Sequence, residues 1–338
     1  MEKEREPVLK EAAKKSNTKL FWVLLLLSVS VIWGSGFLVT DAALKSGMDS
    51  SLIMAGRFLV AAAVLFLARL FLRPTARTPF SKGEWIWGAI IGAVNFAGFF
   101  LQTEGLRYTT PERSGLITGG YVVLVPIFSG ILKKEFKLPV LIVAVCFFIG
   151  MVLLTGGFGG GGFGGGDVIT LISTLFFAAQ ILLVDRLKGI NSFNFSCAQM
   201  LSMGVIGLLF SCAFSHGTLS LVSWKEGLLP VLYLGVFSSA YAYLMQTLAQ
   251  RRLSPALTAI ILSFESLFSA VFALMIGSAS FSLRLIAGGL VMCVSSTVAA
   301  LIDQVDDRDD RVEDRIVATP EPVLGGVSPN QKQEEEKR

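Results

Sequence analysis

The sequence predicts an all-α integral membrane protein with ten transmembrane helices, laid out as two inverted five-helix repeats with both termini cytoplasmic. Three observations carry this expectation: ten apolar segments of membrane-crossing length, basic residues concentrated on alternate connections, and an internal repeat at an offset of 144 residues. The spans read as 20–40, 50–68, 85–103, 114–132, 138–156, 168–184, 192–214, 227–249, 255–276 and 285–302. Each is close to the roughly 20 residues that cross a hydrocarbon core about 30 Å thick. The first run follows a long charged arm and exceeds a secretory h-region of about 7–15 residues, so it reads as a span rather than a cleaved leader.

Orientation follows from the Lys and Arg residues outside the spans. The N-terminal arm has six, the even-numbered connections four, three, two and two, and the C-terminal tail six, which makes 23. The odd-numbered connections together hold five, and Arg57, inside the second span, completes the 29. Cytoplasmic connections carry the basic excess, so both ends are expected in the cytoplasm, which requires an even number of spans.

Composition narrows the function classes. Hydrophobic residues make up 53% of the 338 and the mean hydropathy is +0.67, which a soluble domain rarely reaches. Between residues 20 and 302 there are 17 basic and ten acidic side chains, most of them in connections. The formal charge of +4 therefore reflects a basic membrane-flanking pattern plus an acidic tail, and no soluble basic face is present to hold nucleic acid. Cys146, Cys197, Cys212 and Cys293 lie inside apolar spans without a CxxC pair, and His216 is the single histidine. Zinc, haem and iron–sulfur sites lack ligands at a useful spacing, so no metal or cofactor is expected and the thiols read as small packing residues.

The chain divides into a charged arm (1–19), a first five-helix repeat (20–156), a Gly-rich linker (157–166), a second repeat (167–302) and an acidic tail (303–338) expected to be disordered. The run GGFGGGGFGGG at 156–166 lacks the Gly-Lys-Ser/Thr of a phosphate loop and reads as a flexible linker. Halves of five spans each must enter the membrane in opposite senses. The offset of 144 aligns 101–132 with 245–276 without a gap and matches Gln102, Thr103, Arg107, Pro111, Ile117 and Phe128 to Gln246, Thr247, Arg251, Pro255, Ile261 and Phe272. Inverted repeats of this kind characterise secondary transporters, whose sites lie near the midplane between the halves.

The motifs sharpen this expectation. WGSGF (33–37), Arg57-Phe58, LRYTTPERSGLITGGYVVLVPIF (106–128) with Glu135, GGDVITLISTLFFAAQILLVDRL (165–187) and SPALTAIILSFESLF (254–268) resemble the signatures of the drug/metabolite transporter superfamily, EamA-like branch, across residues 20 to about 302. The chain departs from the family pattern twice. Ser266 follows Glu265 where the family often has proline, and Gly277-Ser278 stands where Gly-Glu is usual, leaving the ninth span without the residue that would kink it. The resemblance implies a ten-helix carrier of small metabolites, often an exporter.

Two charges lie well inside the spans, Arg57 and Glu265. Ionisable groups at membrane depth are costly unless paired or wetted, which makes them candidates for function. Glu265 lies about ten residues, roughly 15 Å, from the start of its span, sharing a face with Thr258 and Ser269. Its counterpart at the repeat offset is Tyr121, equally deep from the other side. Glu265 is expected to bind a cationic group or to exchange a proton, with an interhelical hydrogen bond as the alternative. Arg57 sits seven residues from the start of its span, close enough to snorkel to the interface or to recognise an anion. Ser35, Asn95, Gln180, Tyr241 and Gln246, with Trp33 as an aromatic wall, are further candidates for a cavity lining. Gly88/Gly92 and Gly115/Gly119 read as close-packing pairs, and Pro126 as a kink in the fourth span.

The function expected is therefore a secondary active transporter, an exporter by the resemblance, that moves a small metabolite, amino acid, amine or drug-like compound across the plasma membrane by alternating access. No Walker motif supports ATP driving, so the expected driving force is an ion gradient such as protons, exchange, or simple downhill flow. An intramembrane enzyme would need a catalytic constellation that the spans lack, and a channel-like pore would need a filter. The expected partners are the substrate and the lipid bilayer; oligomeric state has no sequence signal.

Overall fold

The computed structural model describes residues 2–71, 78–155, 164–214, 222–277 and 282–318. Among these, every regular element is helical. The helices are α1 (Glu2–Lys45), α2 (Ser50–Phe71), α3 (Lys82–Leu106), α4 (Pro111–Thr118), α5 (Tyr121–Lys133), α6 (Leu138–Thr155), α7 (Gly165–Asp185), α8 (Ser192–Phe214), α9 (Trp224–Tyr233), a π-helical segment (Leu234–Tyr241), α10 (Ala242–Gln250), α11 (Pro255–Leu262), α12 (Glu265–Met275) and α13 (Leu283–Ala318).

Among the described residues, eight helical stretches are long and apolar enough to cross a membrane: Lys19–Lys45, Ser50–Phe71, Lys82–Leu106, Pro111–Lys133, Gly165–Asp185, Ser192–Ala213, Trp224–Gln250 and Pro255–Met275. Two apolar helices, Leu138–Leu154 and Ile286–Ile302, are shorter. At 1.5 Å per residue each of these two is about 25 Å long, a little under a typical hydrocarbon core. The protein is thus an all-helical, multi-pass membrane protein.

The C-terminal end differs from the sequence expectation. α1 runs unbroken from Glu2, so the charged arm continues the first span. α13 extends to Ala318, through the first part of the tail that composition assigns to disorder. An existing helix extends at the cost of one residue at a time. Residues 319–338, His216 and most of the Gly-rich linker lie outside the described residues.

Helix pairs close the bundle on two sides: α2 packs on α8, and α6 on α13. Both pairs join segments related by the 144-residue offset. Between them, α3 packs on α7 and α8, and α1 on α12. These contacts use small residues. A Cβ on Gly88 would lie 2.6 Å from the Ala198 Cβ, and one on Gly92 3.0 Å from the Gln199 carbonyl, so the expected close-packing pair does join two helices. At Gly34 a Cβ would lie 2.6 Å from the Phe268 Cβ and 2.9 Å from the Glu265 carbonyl, which brings α1 onto the backbone of α12. Of the cysteines only Cys197 is buried; Cys146, Cys212 and Cys293 are exposed on the outer helix faces rather than packed inside.

The fourth and ninth apolar spans are each broken near the middle. Both begin alike, with a side-chain N-cap followed by proline at the first helical position: Thr110 and Pro111, Ser254 and Pro255. In the fourth span the break falls at Gly119-Gly120, where Gly120, Val122 and Val123 donate to the carbonyls three residues back. In the ninth it falls at Ser263-Phe264, with Phe264 and Ser266 donating likewise. Tightening to i→i+3 bonds ends one helix and starts the next. The sequence expectation therefore needs one correction: the ninth span breaks without a proline, and in the fourth the break precedes Pro126, which lies inside α5.

Candidate functional site

The two breaks meet. Ser263 Oγ donates to the Gly119 carbonyl at 3.2 Å, and Tyr121 OH donates to Glu265 Oε1 at 3.2 Å; both bonds join residues 144 apart. A third bond at this crossing runs from Ser266 Oγ to the Gly115 carbonyl at 2.9 Å. Tyr121 and Glu265 are the first residues of α5 and α12, so each break presents one polar side chain at the crossing.

Beside this crossing lies a cavity with about 590 Å³ of space between the side chains, its open end included. Its walls come from α1 (Trp33, Phe37), α2 (Arg57), α3 (Phe99, Gln102), α5 (Tyr121), α7 (Phe177, Gln180), the π-helical segment (Ser238), α10 (Tyr243, Gln246) and α12 (Glu265). Several lining residues form pairs at the repeat offset: Trp33 with Phe177, Phe99 with Tyr243, Gln102 with Gln246, and Tyr121 with Glu265.

Glu265 is 3% exposed and Arg57 2%, and neither makes an ion pair with another described residue. Arg57 does not snorkel. Its Nε donates to Ser239 Oγ at 3.1 Å and its Nη2 to Ser238 Oγ at 3.2 Å, while the guanidinium carbon lies 4.5 Å from the Phe99 ring centre and 4.9 Å from that of Phe58. The π-helical segment makes this possible. It carries both serines on one wall, and Gly235 lies so close to α2 that a Cβ there would sit 2.9 Å from the Arg57 carbonyl. The same segment presents the Ser238 carbonyl to Trp33 Nε1 at 2.9 Å. π-helical turns recur at functional sites because they re-aim backbone groups in this way.

Tyr243 stands within electrostatic reach of both charges, donates to Asn95 Oδ1 at 3.3 Å, and packs its ring against Trp33 and Phe99. One turn along the same face Gln246 Nε2 donates to Gln180 Oε1 at 3.1 Å, and Gln180 Nε2 and Gln246 Oε1 are buried without partners. A buried polar atom without a partner costs about 1–3 kcal/mol, so these groups are set up to receive one.

Of the sequence candidates, Glu265, Tyr121, Arg57, Trp33, Gln180 and Gln246 line the cavity. Asn95 lies one residue behind it, holding Tyr243. Ser35 and Tyr241 do not line it. Ser35 Oγ pairs with Tyr233 OH at 2.6 Å, and Tyr241 OH with Ser28 Oγ at 2.9 Å. At about 100° per residue, Ser35 falls off the Trp33–Phe37 face and Tyr241 off the Tyr243–Gln246 face. Thr258 and Ser269 are buried with unpartnered hydroxyls but do not reach the cavity, because the break at Ser263-Phe264 interrupts the face they would share with Glu265. Lining residues that were missed include Tyr243, Gln102, Phe99, Phe177 and Ser238. A signal for two of them was present: the repeat offset carries Gln246 to Gln102 and Trp33 to Phe177.

The sequence pattern of the EamA-like transporter family matches this chain twice, over residues 20–156 and again over 164–301. The chain belongs to the EamA-like transporter family. An uncharacterized transporter from Archaeoglobus fulgidus is 30% identical over 259 residues, covering 75% of this chain and 77% of the relative. A solved crystal structure of a protein given no functional description superposes with a TM-score of 0.67 at 18% identity, covering 84% of this chain and 99% of the other, and shares its fold. A membrane transporter with a small-molecule substrate is the function that family membership supports.

Proposed function

We propose that this EamA-like protein is a secondary carrier of ten spans, two inverted five-helix repeats, that moves a small amine-bearing or zwitterionic metabolite by alternating access around the cavity between the repeats. The observation that carries this reading is one cavity lined by two buried opposite charges that do not pair with each other. Glu265 uses one carboxylate oxygen for Tyr121 and Arg57 two of its nitrogens for serines; Oε2 and Nη1 have no hydrogen-bond partner among the described residues. A lone buried charge is costly, and a ligand of opposite charge offsets that cost. An ammonium at Glu265 and a carboxylate at Arg57 would do so together, with Trp33, Phe99 and Phe177 enclosing the apolar remainder.

The breaks in the fourth and ninth spans support rocking, since each supplies a joint where half of a span can turn on the other half. Basic residues on the even connections support cytoplasmic termini in the plasma membrane. Glu265 also gives a route for proton coupling, because it reaches the cavity with a free oxygen. Export is the direction favoured by the family resemblance.

The test is metabolite profiling of cells with and without the protein, followed by counterflow in proteoliposomes with the compounds that change. Counterflow by a preloaded substrate is expected of a carrier and not of a pore. Loss of counterflow with Glu265→Gln is the expected result; unchanged transport by that variant would overturn the assignment of the site.

A further inference from the structure

A second concavity, of about 660 Å³ with its open side included, lies on the outer face of the bundle between α5 and α7. Phe128, Ile131 and Leu132 form one wall, Leu182 and Leu183 the other, and Arg186 closes one end. It is separate from the central cavity. On α7 the groove takes the face of Leu182, Leu183 and Arg186, while Phe177, Gln180 and Ile181 face inward.

The closed end is basic. Arg186 is exposed, and its guanidinium has no hydrogen-bond or ion-pair partner among the described residues. Lys133 directly follows the wall residue Leu132 at the end of α5, and Asp185 lies within electrostatic reach of both Lys133 and Arg186. The connections there, 133–137 and 185–191, hold five Lys and Arg residues against two carboxylates.

We propose that this groove holds one acyl chain of an anionic phospholipid, with the lipid phosphate held by Arg186 and Lys133. The apolar walls suit a hydrocarbon chain, and the unpartnered guanidinium at the end of a membrane-facing groove sits where a phosphodiester lies when its chain fills the groove. Arginine binds phosphate through a fork of parallel N–H donors. A cation near an anionic membrane surface contributes about 1 kcal/mol, about fivefold in affinity, for each Lys or Arg.

Native mass spectrometry of the full chain in detergent, titrated with phosphatidylglycerol or phosphatidylcholine of identical acyl chains, tests this. The first bound phosphatidylglycerol is expected to be retained at least about fivefold over phosphatidylcholine. Arg186→Ala should bring the two near parity, Arg186→Lys should restore part of the preference, and Lys225→Ala, at a distant basic position, should leave it intact. Ala179→Phe, which fills the groove without removing a charge, should lower retention of both lipids, with helical content checked by circular dichroism. Equal retention by the wild-type chain, or a preference that survives Arg186→Ala, would overturn the proposal. So would competition by millimolar inorganic phosphate, which would make this a site for the free ion.

Discussion

The fourth and ninth spans are the same device made twice from different side chains. Each starts at a hydroxyl cap followed by proline, each tightens near its middle into i→i+3 turns, and each then presents a polar residue to the cavity. The first break uses two glycines, because a Cβ at Gly119 would lie 2.3 Å from Met151 Cε and 2.9 Å from Ser266 Oγ. The second uses a serine. Ser263 Oγ bonds the Ala259 carbonyl one turn back at 2.8 Å and reaches the Gly119 carbonyl at 3.2 Å. One span gives up volume at the crossing and the other supplies the donor. What is repeated is therefore the backbone path. Chemistry is free to diverge on it, which is how Tyr121 and Glu265 come to occupy equivalent places with unequal roles.

Substitutions at equivalent positions put this comparison to the test, with transport of the profiled substrate as the first readout. The largest effect is expected from Glu265→Gln, a loss of about 10- to 100-fold in initial rate, corresponding to the 1.5–3 kcal/mol of a hydrogen bond to a charged group. Tyr121→Phe at the matching position removes a neutral donor and should cost only about fivefold. Equal losses at the two positions would mean that the pair works as one structural link rather than as a site with a supporting group.

Arg57→Lys comes next, with an expected loss of about tenfold, because a lysine keeps the charge but not the fork that bonds Ser238 and Ser239 and stacks on Phe99. Full activity with lysine would reduce Arg57 to a point charge. For the breaks themselves the readout is thermal unfolding in detergent. Gly119→Ala is expected to destabilise by about 1–3 kcal/mol through overpacking, against about 1 kcal/mol for Ser263→Ala through lost hydrogen bonds. The reverse order would show that the serine, not the glycine, closes the crossing. Ser35→Ala should have the smallest effect, under about twofold in transport, since its hydroxyl serves Tyr233 outside the cavity. A large transport defect there would return Ser35 to the site.

How much of this was legible in the sequence depended on the kind of signal. Apolar length and charge alternation marked the spans, because a bilayer constrains every residue of a crossing helix in the same direction. Glu265 and Arg57 were legible for the same reason: a charge at membrane depth is expensive and stands out. Ser35 and Tyr241 were read as lining because a hydroxyl within a span has no signature that separates a cavity wall from a helix contact. Tyr243 was passed over because an aromatic residue inside a span is ordinary by composition. The break in the ninth span was invisible to a search for proline, since Ser263 makes it through hydrogen bonds to the Ala259 carbonyl one turn back and to the Gly119 carbonyl of another span.

By itself, then, the sequence determined that the chain lives in a membrane, where its apolar helices fall, that its halves repeat at an offset of 144 residues, and which two charges must be accommodated at depth. Those properties follow from local composition and from the energetic penalty a hydrocarbon core imposes on each residue separately. Only the tertiary structure decided where the spans break, that Tyr121 meets Glu265, that the π-helical segment brings serines to Arg57, and that the two charges share a cavity without pairing. These depend on how helix faces are rotated and how closely backbones approach, and a change of a few ångströms alters them without any change in the pattern that the sequence displays.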